Sequence, residues 1–332
     1  VSLIDTDILN RPIGHLLIDQ LDAVCKVFER HLESDDDGVN DLCSHIERYR
    51  GKMLRPSLVI LSSLAVSGSD SSDDLNERHQ IVAAVVEMIH MATLVHDDIL
   101  DESEVRRGGA TINSLNGNEV AVMLGDYLIS KAFHLCSTMG DPSINLALGE
   151  VTNTLCEGEV IQLQKRHDLD IDESVYLDVV GRKTGSLIGA CCHMGAVLGN
   201  GNEEHCSALK MFGEEMGIAF QITDDVLDLF GETAVTGKTV GRDLDLGKMT
   251  LPLIRLRNSL DSIDREQFDL VVHSRDREGL QKFLDTSSAL DSTMQTARDI
   301  VVRAKSRLSI LPEGPALELL LDLSDRVLIR HA

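Results

Sequence analysis

The chain has 332 residues, 55 acidic and 31 basic, for a net charge of −24. That balance excludes the basic stripe that neutralises a nucleic-acid backbone, and it disfavours adhesion to anionic lipid. Aromatics at 3% with no Trp leave no platform for stacking bases.

Apolar positions recur at three- and four-residue spacing through most of the chain, and no alternating strand pattern of any length stands out, so an all-α class is expected. The first helix is predicted over 12–33, with Pro12 suited to its first turn, and the second over 39–48 after the Asp35–Gly38 break. Pro56 opens a third that runs to about 66, and SGSDSSDD at 67–74 reads as an acidic loop. A long helix starts near Asn76 and runs to Asp97. The 103–111 stretch is irregular, because Gly108–Gly109 favours a loop. Helices follow over 116–140, with Gly125 at a kink or close contact, then 144–166, 176–198 and 203–229. A loop with glycine and lysine spans 231–249, and shorter helices cover 250–258, 263–270, 276–289, 291–306 and 313–329. No composition break divides the chain, so residues 1–332 read as one domain: a helical bundle enlarged to ten or more helices around a central cavity.

Two stretches carry the chemistry. EMIHMATLVHDDILDESEVRRGG at 87–109 places Asp97, Asp98 and Asp101 at i, i+1 and i+4, and FQITDDVLDLFG at 220–231 repeats that spacing with Asp224, Asp225 and Asp228. On a helix these carboxylates crowd one another, repel and raise one another's pKa. A divalent cation reverses the balance, since carboxylates are the hard oxygen ligands that Mg²⁺ takes, with substrate phosphates and water completing its shell. A single acidic run is as often a solvated face, but a duplicate at identical spacing, each behind an apolar run, reads as two clusters gripping one diphosphate. His96–Asp97 also spells the doublet of HD-type phosphohydrolases, yet His90, His134 and His193 supply no further ligand set and the second triplet would stand idle.

Basic residues gather in the same stretches: Lys52 and Arg55 before Pro56, His90 two turns before Asp97, Arg106 and Arg107 after Asp101, Lys183 behind Arg182, and Lys238 and Lys248 after the second triplet. Any one of them could equally pair with a surface carboxylate. Arg clamps phosphate with a planar fork and Lys acts as a point charge. The cleft therefore divides into a metal-bound diphosphate side and a second, metal-free anion side. GETAVTGKT is only a near miss to a nucleotide-binding loop and follows a helix rather than a strand.

With these residues in view, the chain resembles the trans (head-to-tail) polyprenyl diphosphate synthase family, of the long-chain, octaprenyl-like type, over nearly its whole length. GKMLRP, EMIHMATLVHDDILDESEVRRG, GEVIQLQ, RKTG, FQITDDVLDLFG and GKTVGRDLDLGKMTLP look like that family's motifs. Arg50 and Met53 stand where the family usually has glycine and arginine. The resemblance implies an all-helical isoprenoid synthase fold and three Mg²⁺ per site held by Asp97, Asp98, Asp101 and Asp224, with Asp225 and Asp228 ligating or supporting. It implies Arg106, Lys183, Lys238 and Lys248 on the allylic diphosphate, Lys52, Arg55, His90 and Arg107 on isopentenyl diphosphate, and Thr184 and Gln221 beside the reacting allyl group. Glu87 and Gln162 match positions near the cleft. A homodimer through faces near 113–140 is the family's usual state.

Product length is expected to be set sterically in a tunnel below Asp97. Small residues at Ala92 and Thr93 leave it open, with a floor among Met88, Met123, Tyr127, Leu128 and Leu135, which points to C30–C50 and best to C40. A short-chain farnesyl or geranylgeranyl diphosphate synthase, a terpene cyclase and a non-catalytic subunit of a heteromeric synthase are the alternatives. Seven dispersed cysteines read as reduced core thiols, and neither a run of eighteen apolar residues nor a leader pattern is seen, which points to a cytoplasmic protein without a membrane segment.

Overall fold

The computed structural model describes residues 11–47, 51, 53–230 and 241–329. They fold into helices with one minimal hairpin. The first three helices are α1 (Pro12–Leu32), α2 (Asp37–Glu47) and α3 (Leu54–Ser67). Next come α4 (Glu77–Leu100), the strands β1 (Val105–Arg106) and β2 (Gly109–Ala110), α5 (Ile112–Asn116) and α6 (Asn118–Thr138). They are followed by α7 (Pro142–Gln164), α8 (Glu173–Val180), a π turn (Gly181–Gly185), α9 (Ser186–Leu198) and α10 (Glu203–Phe230). The rest is α11 (Arg242–Asp245), α12 (Leu251–Ser259), α13 (Ser262–Ser274), α14 (Arg277–Asp285), α15 (Ala289–Arg307) and α16 (Pro315–Arg326).

The helix α4 is apolar on nearly every face over 82–92, and a helix apolar all round belongs in the centre of a bundle. Its start is fixed by Asn76, whose side chain accepts from the Arg78 amide at 3.0 Å while the Asn76 amide donates to His79 Nδ1 at 3.1 Å. The far ring nitrogen of His79 lies 2.8 Å from Ser63 Oγ, which fastens α4 to α3. The helices α3, α6, α9 and α10 complete the centre, with α4 on α6, α9 on both α3 and α10, and α15 outside α10.

The π turn and α9 touch α10 backbone to backbone. A Cβ at Gly217 would lie 2.7 Å from the Gly185 Cα of the π turn and one at Gly213 2.8 Å from the Gly189 Cα of α9, so this crossing needs glycine on both sides. Gly158 does the same for α7, where a Cβ would meet the Arg182 Cβ at 2.8 Å and the Lys183 amide at 3.1 Å. These approaches bring α7, the π turn and α10 together at the site.

Two expectations change. The 103–111 stretch is a hairpin rather than an irregular loop: Val105 faces Ala110 and Arg106 faces Gly109, and the linking pair Arg107–Gly108 has φ of +51° and +77°. Positive φ at both central residues is the turn that matches strand twist, and strands two residues long are too short to show alternation in a sequence. The expected 176–198 helix starts at Glu173 and carries the wider π turn where Lys183 and Thr184 sit. At Gly125 a Cβ would fall 2.1 Å from His96 Nε2, which makes it the anticipated close contact.

Candidate active site

The first aspartate motif ends α4, and its carboxylates face in different directions. Asp98 is buried and takes the Arg106 side chain on both oxygens, with Nε at 2.9 and 3.1 Å and Nη2 at 2.8 Å. Burial pushes the Asp98 carboxyl up and Arg106 pulls it back. Arg106 is held for this by the hairpin. Asp97 and Asp101 are half-buried. Asp97 Oδ1 lies 3.6 Å from Lys183 Nζ. Asp101 meets Arg166 at 3.0 Å and Lys248 at 3.2 and 3.3 Å. The open end of α4 gains further donors, from Arg166 to the Leu100 carbonyl at 3.2 Å and from Arg242 to the Asp101 carbonyl.

The second motif lies near the end of α10. Asp225 is buried and accepts from the Tyr176 hydroxyl at 2.6 Å and from Gln221 Nε2 at 2.8 Å. Gln221 accepts in turn from the Thr184 hydroxyl at 3.0 Å, so a hydrogen-bonded chain links the π turn to Asp225. Burial, with Asp243 and Asp224 nearby, pushes the Asp225 carboxyl up to about 8 against the pull of Tyr176 and Gln221. Asp228 accepts from the backbone amides of Arg242 at 3.3 Å and Asp243 at 3.0 Å. Asp224 is half-buried one residue before Asp225.

The two motifs share their partners. Arg242 touches Asp101 through its side chain and Asp228 through its amide, while Lys248 reaches Asp101 and stands 3.8 Å from Asp243. Lys183 Nζ joins Asp97 to Glu159 on α7. Burial alone would lower the Lys183 ammonium, but Asp97, Glu159 and Asp101 outweigh it and hold its pKa above the usual lysine range. A cavity of about 100 Å³ opens between these elements, lined by Arg166, Lys183, Lys248, Thr184, Gln221 and Asp225 among others.

Two turns nearer the start of α4 than Asp97, Arg55, His90 and Arg107 come together with the buried Glu87. Burial and the charges of Arg55, Arg107 and Arg106 push the His90 pKa well below its ordinary value, so the ring is neutral. Burial and Arg106 lower Arg107, opposed by Glu87. Arg55 Nε is buried with no hydrogen-bond partner, a donor available to an incoming anion. Gly51 lets the guanidinium of Arg107 approach, since a Cβ there would fall 2.7 Å from its Nη2. Arg107 has φ of +51°, the left-handed region that a side chain occupies at a cost, typical of functional loops. Lys52 and Lys238 lie outside the described residues.

Ala92 is fully buried, and Thr93 is half-buried with its hydroxyl on the His90 carbonyl at 2.7 Å. Met88, Leu128 and Leu135 are in the core, and the Tyr127 hydroxyl donates to the Leu32 carbonyl. Met123 is 66% exposed on α6, so it points away from any tunnel beneath Asp97, contrary to expectation. His96 turns away from the aspartates onto α6, with Nε2 3.2 Å from the Val122 carbonyl and 3.7 Å from Asp126. It therefore forms no HD-type pair with Asp97.

Four participants were not singled out in the sequence: Glu159, Arg166, Tyr176 and Arg242. Glu159 stands inside the GEVIQLQ stretch and Arg166 two residues beyond it, so proximity to a motif was their one signal. Tyr176 is a core aromatic by pattern, and its role depends on the α8–α10 contact.

Among the described residues, no group of three or more His, Cys, Asp or Glu side chains is already gathered as a metal site. The donor chemistry nevertheless fits a hard divalent cation. Asp97 and Asp101 are half-buried carboxylates beside the cavity, and their partners Lys183, Arg166 and Lys248 line it on long side chains that can turn to phosphate.

Comparison with known proteins agrees with this geometry. A sequence profile described as polyprenyl synthetase matches residues 36–286. A short chain isoprenyl diphosphate synthase of Methanothermobacter thermautotrophicus is 37% identical over 295 residues, covering 86% of this chain and 89% of that protein. The octaprenyl diphosphate synthase of Escherichia coli is 33% identical over 316 residues, covering 94% and 96%. A crystal structure of a polyprenyl synthase from Caulobacter crescentus, complexed with calcium and isoprenyl diphosphate, superposes with a TM-score of 0.88 at 31% identity, covering 97% and 98%.

Proposed function

The chain belongs to the polyprenyl synthetase family and is a trans-prenyltransferase, and from that premise we propose that it condenses isopentenyl diphosphate with an allylic diphosphate to make an all-trans polyprenyl diphosphate of C30–C50, C40 being the best fit. The observation that carries this reading is the Lys183–Asp97 contact beside the Thr184–Gln221–Asp225 chain. It places both aspartate motifs and a cation on one cleft.

Asp97, Asp101 and Asp224 are assigned as the ligands of Mg²⁺, three ions per site by analogy with the family. Asp98 and Asp225 act behind them, since Arg106 holds the one and Tyr176 and Gln221 hold the other. Asp228 orders the Arg242–Asp243 backbone. Magnesium held by these carboxylates would supply the positive charge that neutralises the diphosphate as the C–O bond breaks. The family relative solved with calcium and isoprenyl diphosphate supports a divalent cation here.

Lys183, Lys248 and Lys238, with Arg106 through its remaining nitrogen, steady the departing pyrophosphate. The Thr184 hydroxyl and the Gln221 amide face the allylic carbon as it gains positive charge. Arg55, His90, Arg107 and Lys52 hold the diphosphate of isopentenyl diphosphate nearer the start of α4. Its double bond attacks the allylic carbon, the C–O electron pair leaves with pyrophosphate, and a proton from the new cation passes to a pyrophosphate oxygen. Apolar walls exclude the water that would otherwise capture the cation.

Small side chains at Ala92 and Thr93 support a long product. The relative described as short chain keeps a farnesyl or geranylgeranyl product as the second reading. Exposed Leu115, Val122 and Met123 on α5 and α6 support a homodimer through this face. Among the described residues no helix is long and apolar enough to cross a membrane. None of the seven cysteines is in a disulfide, which supports the cytoplasm as its location.

The test is incubation with Mg²⁺, labelled isopentenyl diphosphate and C5, C15 or C20 allylic primers, followed by chromatography of the dephosphorylated products. Products of about C40 are expected. A C15 or C20 end point would replace the long-chain reading, and no elongation from any primer would refute the activity.

A further inference from the structure

We propose that Arg166 is a diphosphate-binding residue of the allylic site, pairing with Asp101 in the arrangement seen here and turning to the diphosphate when Asp101 takes a cation. The proposal rests on the reading that the cavity beside Asp101 receives the metal-bound diphosphate.

Arg166 lines that cavity with Lys183 and Lys248. Its position is built rather than incidental. The residue after it, His167, has φ of +65°, and its amide donates to the Gly247 carbonyl at 2.8 Å. A Cβ at Gly247 would fall 2.1 Å from His167 Nδ1, so the two segments fit only with glycine there. This clamp sets Arg166 beside Lys248, and both reach the same Asp101 carboxylate.

Asp101 already has Lys248 as a partner at 3.2 and 3.3 Å, closer than Lys248 stands to Asp243 at 3.8 Å. Arg166 adds a planar fork whose Nε is buried with no hydrogen-bond partner, a costly arrangement unless something accepts from it. Phosphate oxygens match such a fork with paired, charge-assisted bonds. The competing role is purely local: Arg166 donates to the Leu100 carbonyl and so caps the end of α4.

Titration calorimetry with magnesium pyrophosphate, and separately with isopentenyl diphosphate, distinguishes the two. Wild type is compared with Arg166→Met, Arg166→Lys and, as a site control, Lys183→Met. Loss of a charged bidentate contact is expected to weaken pyrophosphate binding about tenfold or more in Arg166→Met. Arg166→Lys should fall in between, and isopentenyl diphosphate affinity should stay unchanged. If Arg166→Met or, should that variant fail to fold, Arg166→Lys binds pyrophosphate as wild type does while Lys183→Met is weakened, Arg166 is a helix cap and the proposal fails. If wild type binds no pyrophosphate with magnesium, the underlying reading of the cavity fails first.

Discussion

Lys183 Nζ lies 3.6 Å from Asp97 Oδ1, and the residue after Lys183, Thr184, starts the hydrogen-bonded chain that ends on Asp225. A single π turn thus touches both aspartate motifs. π turns inside α-helices occur often at functional sites, because the widened turn redirects side chains. Replacing Lys183 with Ala removes the donor proposed to steady the leaving group. A fall in kcat of about 10²-fold is expected, read by steady-state kinetics with the fold checked by circular dichroism. A kcat within about twofold of wild type would remove Lys183 from the chemistry.

Chelation should abolish turnover without unfolding the protein. Asp97 and Asp101 already have Lys183, Arg166 and Lys248 as partners, so loss of a cation leaves no bare cluster of like charge. Activity assays and thermal melts with and without EDTA check this. Collapse of the melt on chelation would show instead that metal holds the cleft together.

His90 gives the molecule a signed pH dependence. Its folded pKa is depressed by burial and by three arginines, so below about pH 6.5 the unfolded chain takes up a proton that the native state resists. The stability from this residue is complete above that pH and is lost as pH falls below it. Denaturant unfolding of His90→Asn should show a shallower loss between about pH 6.5 and 5 than wild type. Equal slopes would mean that His90 titrates normally.

Product length is predicted to shorten in Thr93→Phe. Thr93 is half-buried one turn before Asp97, and an aromatic ring there would narrow the proposed path of the tail. Chromatography of the prenyl alcohols would report it, and an unchanged product would move the gate elsewhere. Fully buried Ala92 is the poorer place to probe, because overpacking costs about 1–3 kcal/mol in its own right.

The crossing of α10 with the π turn that opens α9 is tested by Gly217→Ala. With the Gly185 Cα 2.7 Å from the new methyl, the helices must separate, at a cost of about 1–3 kcal/mol in denaturant unfolding. Wild-type stability would show that the crossing is loose.

Much of this was legible in the sequence, for identifiable reasons. The aspartate spacing and the long apolar helices are local features, and the fold keeps them; the company of Arg55, His90 and Arg107, from α3, α4 and the hairpin, followed from the family resemblance, and the structure brings the three together. What the spacing could not show was the direction of each carboxylate. Asp97 and Asp98 are neighbours, so a helix turns them by about a quarter of a circle, and one faces Lys183 while the other is buried on Arg106. Tyr176 and Arg166 were invisible because each acts through an element distant in sequence: α10 for Tyr176, and the end of α4 for Arg166. Met123 was misplaced because an apolar residue on a central helix can equally face outward.

The central claim is that both aspartate motifs act on one diphosphate, and a double-mutant cycle tests it most directly. Elongation of labelled isopentenyl diphosphate is compared in wild type, Asp97→Ala, Asp224→Ala and the double variant. Each single change should cost about 10²-fold or more, and the double variant should be little worse than the poorer single, because either loss disables the same unit. Full turnover in the double variant, or losses that simply multiply, would contradict a shared cleft.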